Sequence, residues 1–173
     1  MAEPSKRWLT FRRVLVGAVV LILLAALGLF LYVNHLLHSP TVRQTSGPVT
    51  LQEASGRCPI PLPATAKNIQ YAAYSHWAAY EAFVRFEAPA TDCLAHVDAI
   101  IKMSPPYDHP IKLMPIDPSC LVLKMSDLPS AMKTSWFDLQ RIKRGQWGGG
   151  GGSYWPQVWV DEDNGVFYYH ITD

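Results

Sequence analysis

The most chemically suggestive pair in the chain is Asp161 and His170. They lie on either side of Asn164-Gly165, a strong hairpin signal between the β-rich runs Trp155–Asp161 and Val166–Ile171. With a two-residue turn, Val160 faces Tyr169 and Val158 faces Ile171. Trp159 and Asp161 then share the opposite face with Tyr168 and His170. An imidazole beside a carboxylate can move a proton or ligate a metal. The plainer reading is a half-buried histidine packed on Trp159. His35, His38, His76, His96 and His109 are scattered and converge on nothing.

Cys58, Cys93 and Cys120 are the only thiols. No Cys-x-x-Cys spacing occurs, so a thioredoxin-type site is not expected, and no close Cys/His pair supports zinc. An odd count leaves one thiol over. Cys58–Cys93 is the preferred bridge, because the end of one strand and the start of its hairpin partner fall together. Burial of all three as small hydrophobes is the competing reading. A third is a reactive Cys93, activated at a helix N-terminus. Asp161-Glu-Asp-Asn-Gly resembles a piece of a calcium loop, but it lacks the alternating ligands and the distal glutamate. Gly148–Gly152 lacks the Lys-Ser/Thr ending of a phosphate loop and reads as a mobile connection. No cofactor and no metal are called for.

Aromatic residues offer a different chemistry. Trp147 and Tyr154 flank the glycines, and Trp159, Tyr168 and His170 share one hairpin face. Rings with polar tips serve sugars and partner proteins. These five residues are the candidate ligand-binding set, with core packing as the alternative. Trp136, Phe137 and Trp155 read as core.

Elements must position these groups. Val14–Val33 is 20 residues without a charge, about 30 Å as a helix, which matches a bilayer core. Lys6, Arg7, Arg12 and Arg13 precede it, and the next basic residue is Arg43. The positive-inside rule predicts a cytoplasmic segment 1–13, a transmembrane helix over 14–33 and an extracytoplasmic remainder. The long apolar run, with no small-x-small site after it, reads as an uncleaved signal anchor of a single-pass membrane protein rather than a signal peptide.

Residues 34–57 read as a flexible tether, and 58–173 as the outer domain. Ile69–Tyr74 and Tyr80–Glu87 predict an antiparallel hairpin. Asp92–Met103 predicts an amphipathic helix exposing His96, Asp98 and Lys102. Ser104–Ser119 holds five prolines and reads as a loop. Leu121–Met125 is a short strand candidate, and Leu139–Arg144 a helical turn. The sum is an α+β domain, mainly an antiparallel sheet with one packed helix, behind the transmembrane helix.

Three stretches support a resemblance: Pro61–Ile69, Phe83–Cys93, and Tyr154–Asp161 with Gly165–Tyr169. They resemble a set of small bacterial membrane-anchored or exported domains with no assigned activity. The resemblance spans most of 58–173 and implies localisation, not chemistry. Fifteen basic and fourteen acidic residues leave the chain near neutral, which argues against a large basic surface for nucleic acid. With 49% hydrophobic and 17% charged residues, the chain is not disordered. The expected partners are the bilayer and an envelope protein or glycan. The leading functional reading is a binding or scaffold domain rather than an enzyme. An envelope-polymer hydrolase using His170 and Asp161, and an accessory subunit of a larger membrane complex, stand as alternatives.

Overall fold

A helix, α1, runs from Lys6 to His38. The computed structural model describes residues 6–39, 41–76, 79–103, 112–123, 132, 134–149 and 156–172. Within α1, Arg13–His35 is long and apolar enough to cross a membrane. Between Val14 and Val33 its Leu, Val and Phe side chains are exposed.

Residues 40–173 form a second unit. Seven strands make one antiparallel sheet: β1 (Thr41–Gln44), β2 (Lys67–His76), β3 (Ala79–Glu87), β4 (Met114–Pro115), β5 (Gly145–Gly149), β6 (Gln157–Asp161) and β7 (Val166–Thr172). The order is β1-β2-β3-β7-β6-β5-β4. Two meanders therefore meet along β3 and β7, with the helix α3 (Ala90–Met103) in the connection between them. The class is α+β, as the sequence predicts.

The expected tether is largely part of this domain. Thr41–Gln44 pairs with β2, and Val49 bridges to Ile69. Thr50 opens a short helix, α2 (Leu51–Ala54), with a reciprocal capping box to Glu53. Ala54 is fully buried. Only Ser39 and Pro40 separate α1 from β1.

One sheet face carries Ile69, Tyr71, Val84, Phe86, Val158, Val160, Phe167 and Tyr169, packed with Cys93, Val97 and Ile100 of α3. His96 belongs to this core and is not on the exposed side of α3. Its ring lies edge-on to Phe86 and Phe167, with centroids 5.5 and 5.3 Å away. Asp98 is exposed as expected.

The other sheet face is covered by irregular chain. Phe137, Leu139 and Ile142 pack with Trp159, Val166 and Tyr168. Phe137 meets Phe83, Trp159 and Tyr168 edge-on, at 5.2, 6.1 and 5.3 Å. Asp138 caps the single turn Leu139–Arg141. Leu121 closes another such turn, Pro118–Leu121, rather than opening a strand. Residues 124 and 125 of that strand candidate lie outside the described residues. Gly148 and Gly149 continue β5, so the expected glycine loop begins in sheet, and 150–152 lie outside the described residues.

The last hairpin turns through four residues, not two. Asp161 pairs with Val166, Val160 with Phe167 and Val158 with Tyr169. The register therefore moves by two, which preserves every expected face. Asp161 makes the turn. Its Oδ1 accepts from the amides of Asp163 and Asn164, and its Oδ2 from the Asn164 side chain at 2.8 Å. Gly165 closes it at φ 60°, where a side chain is strained.

Candidate functional site

Register places three of the predicted aromatics, Trp147, Trp159 and Tyr168, in one row across the second sheet face. Met114 pairs with Trp147, Trp147 with Trp159, Trp159 with Tyr168, Tyr168 with Arg85, and Arg85 with Gln70. The row is not an open recognition face. Trp159 is 1% exposed, and its Nε1 donates to the Cys120 carbonyl at 2.8 Å. Phe137 and its neighbours lie over it. Trp147 is half-buried. Tyr154 lies outside the described residues, as does Trp155.

At its Tyr168–Arg85–Gln70 end the row borders a cavity of about 550 Å³. Glu87, Asp161, Ser135, Trp136 and Arg141 also line it. Arg85 lies over the Tyr168 ring at 6.0 Å and binds Glu87 at 2.7 Å. Asn68 fixes the same carboxylate: its Nδ2 donates to Glu87 Oε2 at 2.6 Å. Asn68 can do this because it adopts φ 49° beside the shift in register between Lys67 and Gln70, a conformation asparagine tolerates.

Burial disfavours the charge on Arg85, but its bonds to Glu87 and Tyr168 outweigh this and raise its pKa. Burial works against the Glu87 carboxylate too, yet the bonds from Asn68 and Arg85 leave its pKa below the ordinary value. Both groups are therefore ionised at neutral pH. Burial raises the Tyr168 phenol, with Arg85 opposing, so it remains a neutral hydrogen-bonding group. Trp136 and Tyr168 supply ring surface, and Ser135, Gln70 and Arg141 supply polar groups. This arrangement can hold a polar ligand with both apolar and charged parts.

His170 belongs to a different cluster. It pairs with Gln157, whereas Asp161 pairs with Val166. Four strand residues separate the two positions, about 13 Å at the usual rise. The expected His170/Asp161 pair is therefore not formed, and Asp161 is committed to its turn. His170 Nε2 instead meets Glu81 Oε1 at 2.9 Å, with both side chains under 5% exposed. Glu81 sits one same-face position from Phe83, which pairs with His170. The His170 and Phe83 ring centroids are 4.6 Å apart. Alternation puts Glu81 on that face. The sequence does not indicate that loop chain would bury it.

All three cysteines are free thiols. The expected Cys58–Cys93 bridge is not formed, because residues 58–66 run back along the sheet. Cys58 shares a cavity with Ser75 and Tyr80 at one end of β3. Cys93 Sγ reaches the Ala88 carbonyl beyond the other end. Eight strand residues span about 26 Å, far beyond the Cα separation of a disulfide. Burial pushes the Cys58 thiol up to about 11. Burial, then Asp92, pushes Cys93 up to about 11. A helix-activated Cys93 thiolate does not fit that environment.

The acidic turn has internal partners. Glu162 and Asp163 bind Arg144 at 3.0 and 2.7 Å. Among the described residues no group of three His, Cys, Asp or Glu could hold a metal ion. Sequence reasoning missed Gln70, Arg85, Glu87, Ser135 and Arg141 as site residues, and it read Trp136, which also lines the Arg85 cavity, as core. The signal for Arg85 and Glu87 is their alternation on the β3 face shared with Tyr168. Comparison with known families, curated proteins and solved structures finds no match for the chain.

Proposed function

We propose that this is a single-pass membrane protein whose C-terminal α+β domain is an extracytoplasmic binding module. The ligand site is the Arg85 cavity. Four basic residues before the apolar stretch and none until Arg43 support a cytoplasmic N-terminus. The observation that carries the binding reading is the mixed-charge cavity itself, with an ionised Arg85–Glu87 pair beside the rings of Trp136 and Tyr168. Aromatic faces pack on sugar rings or side chains, while fixed charges select a charged end group. An envelope glycan carrying carboxylate or amino groups has that combination.

The test is calorimetric titration of the full chain in lipid nanodiscs with a muropeptide mixture, with neutral chitooligosaccharides as control. Muropeptides should bind, and Trp136→Ala should weaken binding at least tenfold. Equal binding by the variant, or no heat from either probe, would overturn the reading.

A further inference from the structure

A second cavity lies on the α3 side of the sheet, at the β1 edge. Thr41 pairs with Ser75, and Ser75 with Tyr80, so three hydroxyl side chains form a row across β1, β2 and β3. Arg43 stands beside Ala73, which in turn pairs with Ala82. These small residues leave a hollow. The chain after α2 brings Arg57 to it. Gly56 turns at φ 72°, and the amides of Arg57 and Cys58 both donate to the Ala54 carbonyl, at 3.0 and 2.9 Å. The resulting cavity measures about 340 Å³ and is lined by Thr41, Arg43, Arg57, Cys58, Ser75 and Tyr80 among others.

No carboxylate lines it. Among the described residues, neither Arg43 nor Arg57 has a carboxylate within ion-pair distance, unlike Arg85, Arg141 and Arg144. Arg43 lies close enough to favour ionisation of the Tyr80 phenol, although burial dominates and raises that group. Two guanidinium forks and three hydroxyls offer more donors than the two oxygens of a carboxylate can accept. A tetrahedral oxyanion can use them.

We propose that the Arg43/Arg57 cavity is a binding site for a phosphate group, either free or as the phosphodiester of a lipid headgroup. It is separate from the Arg85 cavity, which occupies the opposite sheet face. The site does not depend on that cavity's ligand.

The test uses the full chain in two arms, both without phosphate buffer. In detergent, inorganic phosphate is titrated calorimetrically, with acetate as the carboxylate control. In nanodiscs containing phosphatidylglycerol, bound lipid is counted by native mass spectrometry after release. The variants are Arg43→Gln, Arg57→Gln and the double variant. Both side chains are exposed, so thermal unfolding should be unchanged. Phosphate binding in detergent, at least tenfold weaker in each single variant and absent in the double, assigns a soluble phosphate. Lipid retention in nanodiscs that is lost in the double variant assigns a headgroup. Wild-type levels of both in the double variant would overturn the proposal. So would acetate binding as tight as phosphate, or no binding in either arm.

Discussion

Replacing Glu81 by leucine should be among the most damaging substitutions on the second sheet face. Glu81 and His170 meet at 2.9 Å with both side chains almost fully excluded from water, and the imidazole lies against Phe83. Removing the carboxylate leaves His170 Nε2 buried without that partner. The cost is about 1–3 kcal/mol if the pair is a neutral hydrogen bond. It is about 3–5 kcal/mol if the pair is ionised. The double variant Glu81→Leu/His170→Leu removes both polar groups and should recover most of the loss, because a buried pair is often replaceable by apolar packing. The assay is urea unfolding of the full chain in detergent, followed by tryptophan fluorescence, since Trp159 is buried. A cycle of wild type, two singles and the double isolates the coupling. A single-variant loss below about 0.5 kcal/mol, or a double variant as weak as the sum of the singles, would refute the claim that the pair is a closed structural contact.

Three further outcomes are expected. Among the described residues His96 Nε2 is buried without a hydrogen-bond partner. Burial holds its pKa below the ordinary value despite the Pro61 carbonyl. The unfolded chain then binds the proton more readily, so stability present above about pH 6.5 falls as pH drops towards the lowered folded value. In His96→Phe this part of the acid slope should vanish, as read by urea midpoints at pH 7.5 and 5.5. Gly165→Ala should destabilise by more than about 1 kcal/mol, because a Cβ there would collide with the Ala88 carbonyl oxygen and φ is 60°. Phe137→Ala should cost about 2–4 kcal/mol, since this ring lies over Phe83, Trp159 and Tyr168. Its unfolding midpoint is the measurement.

Strong local patterns made part of this fold legible in the sequence. The alternation of Ala82, Val84 and Phe86 and the Asn164-Gly165 signal located β3 and the last hairpin, and the faces held because a two-residue register shift conserves them. Asp161 could not be read correctly, because its carboxylate closes the turn that the sequence pattern shortened. Residues 41–57 looked like a tether because their polar composition outweighs a few apolar anchors. Thr50-x-x-Glu53 is nevertheless a capping-box signature and marked α2. The site was half legible. Tyr168 was in the candidate set, but an aromatic row reads the same whether water or Phe137 lies above it. Burial by an irregular segment has no periodicity, so neither the closed row nor the Glu81–His170 contact left a pattern along the chain.

The most direct test of the central claim is chemical-shift mapping of the isotope-labelled full chain in nanodiscs during titration with muropeptides. The account predicts shifts concentrated at Gln70, Arg85, Ser135, Trp136, Arg141 and Tyr168. Shifts gathered elsewhere on the domain, or none at saturating ligand, would contradict it.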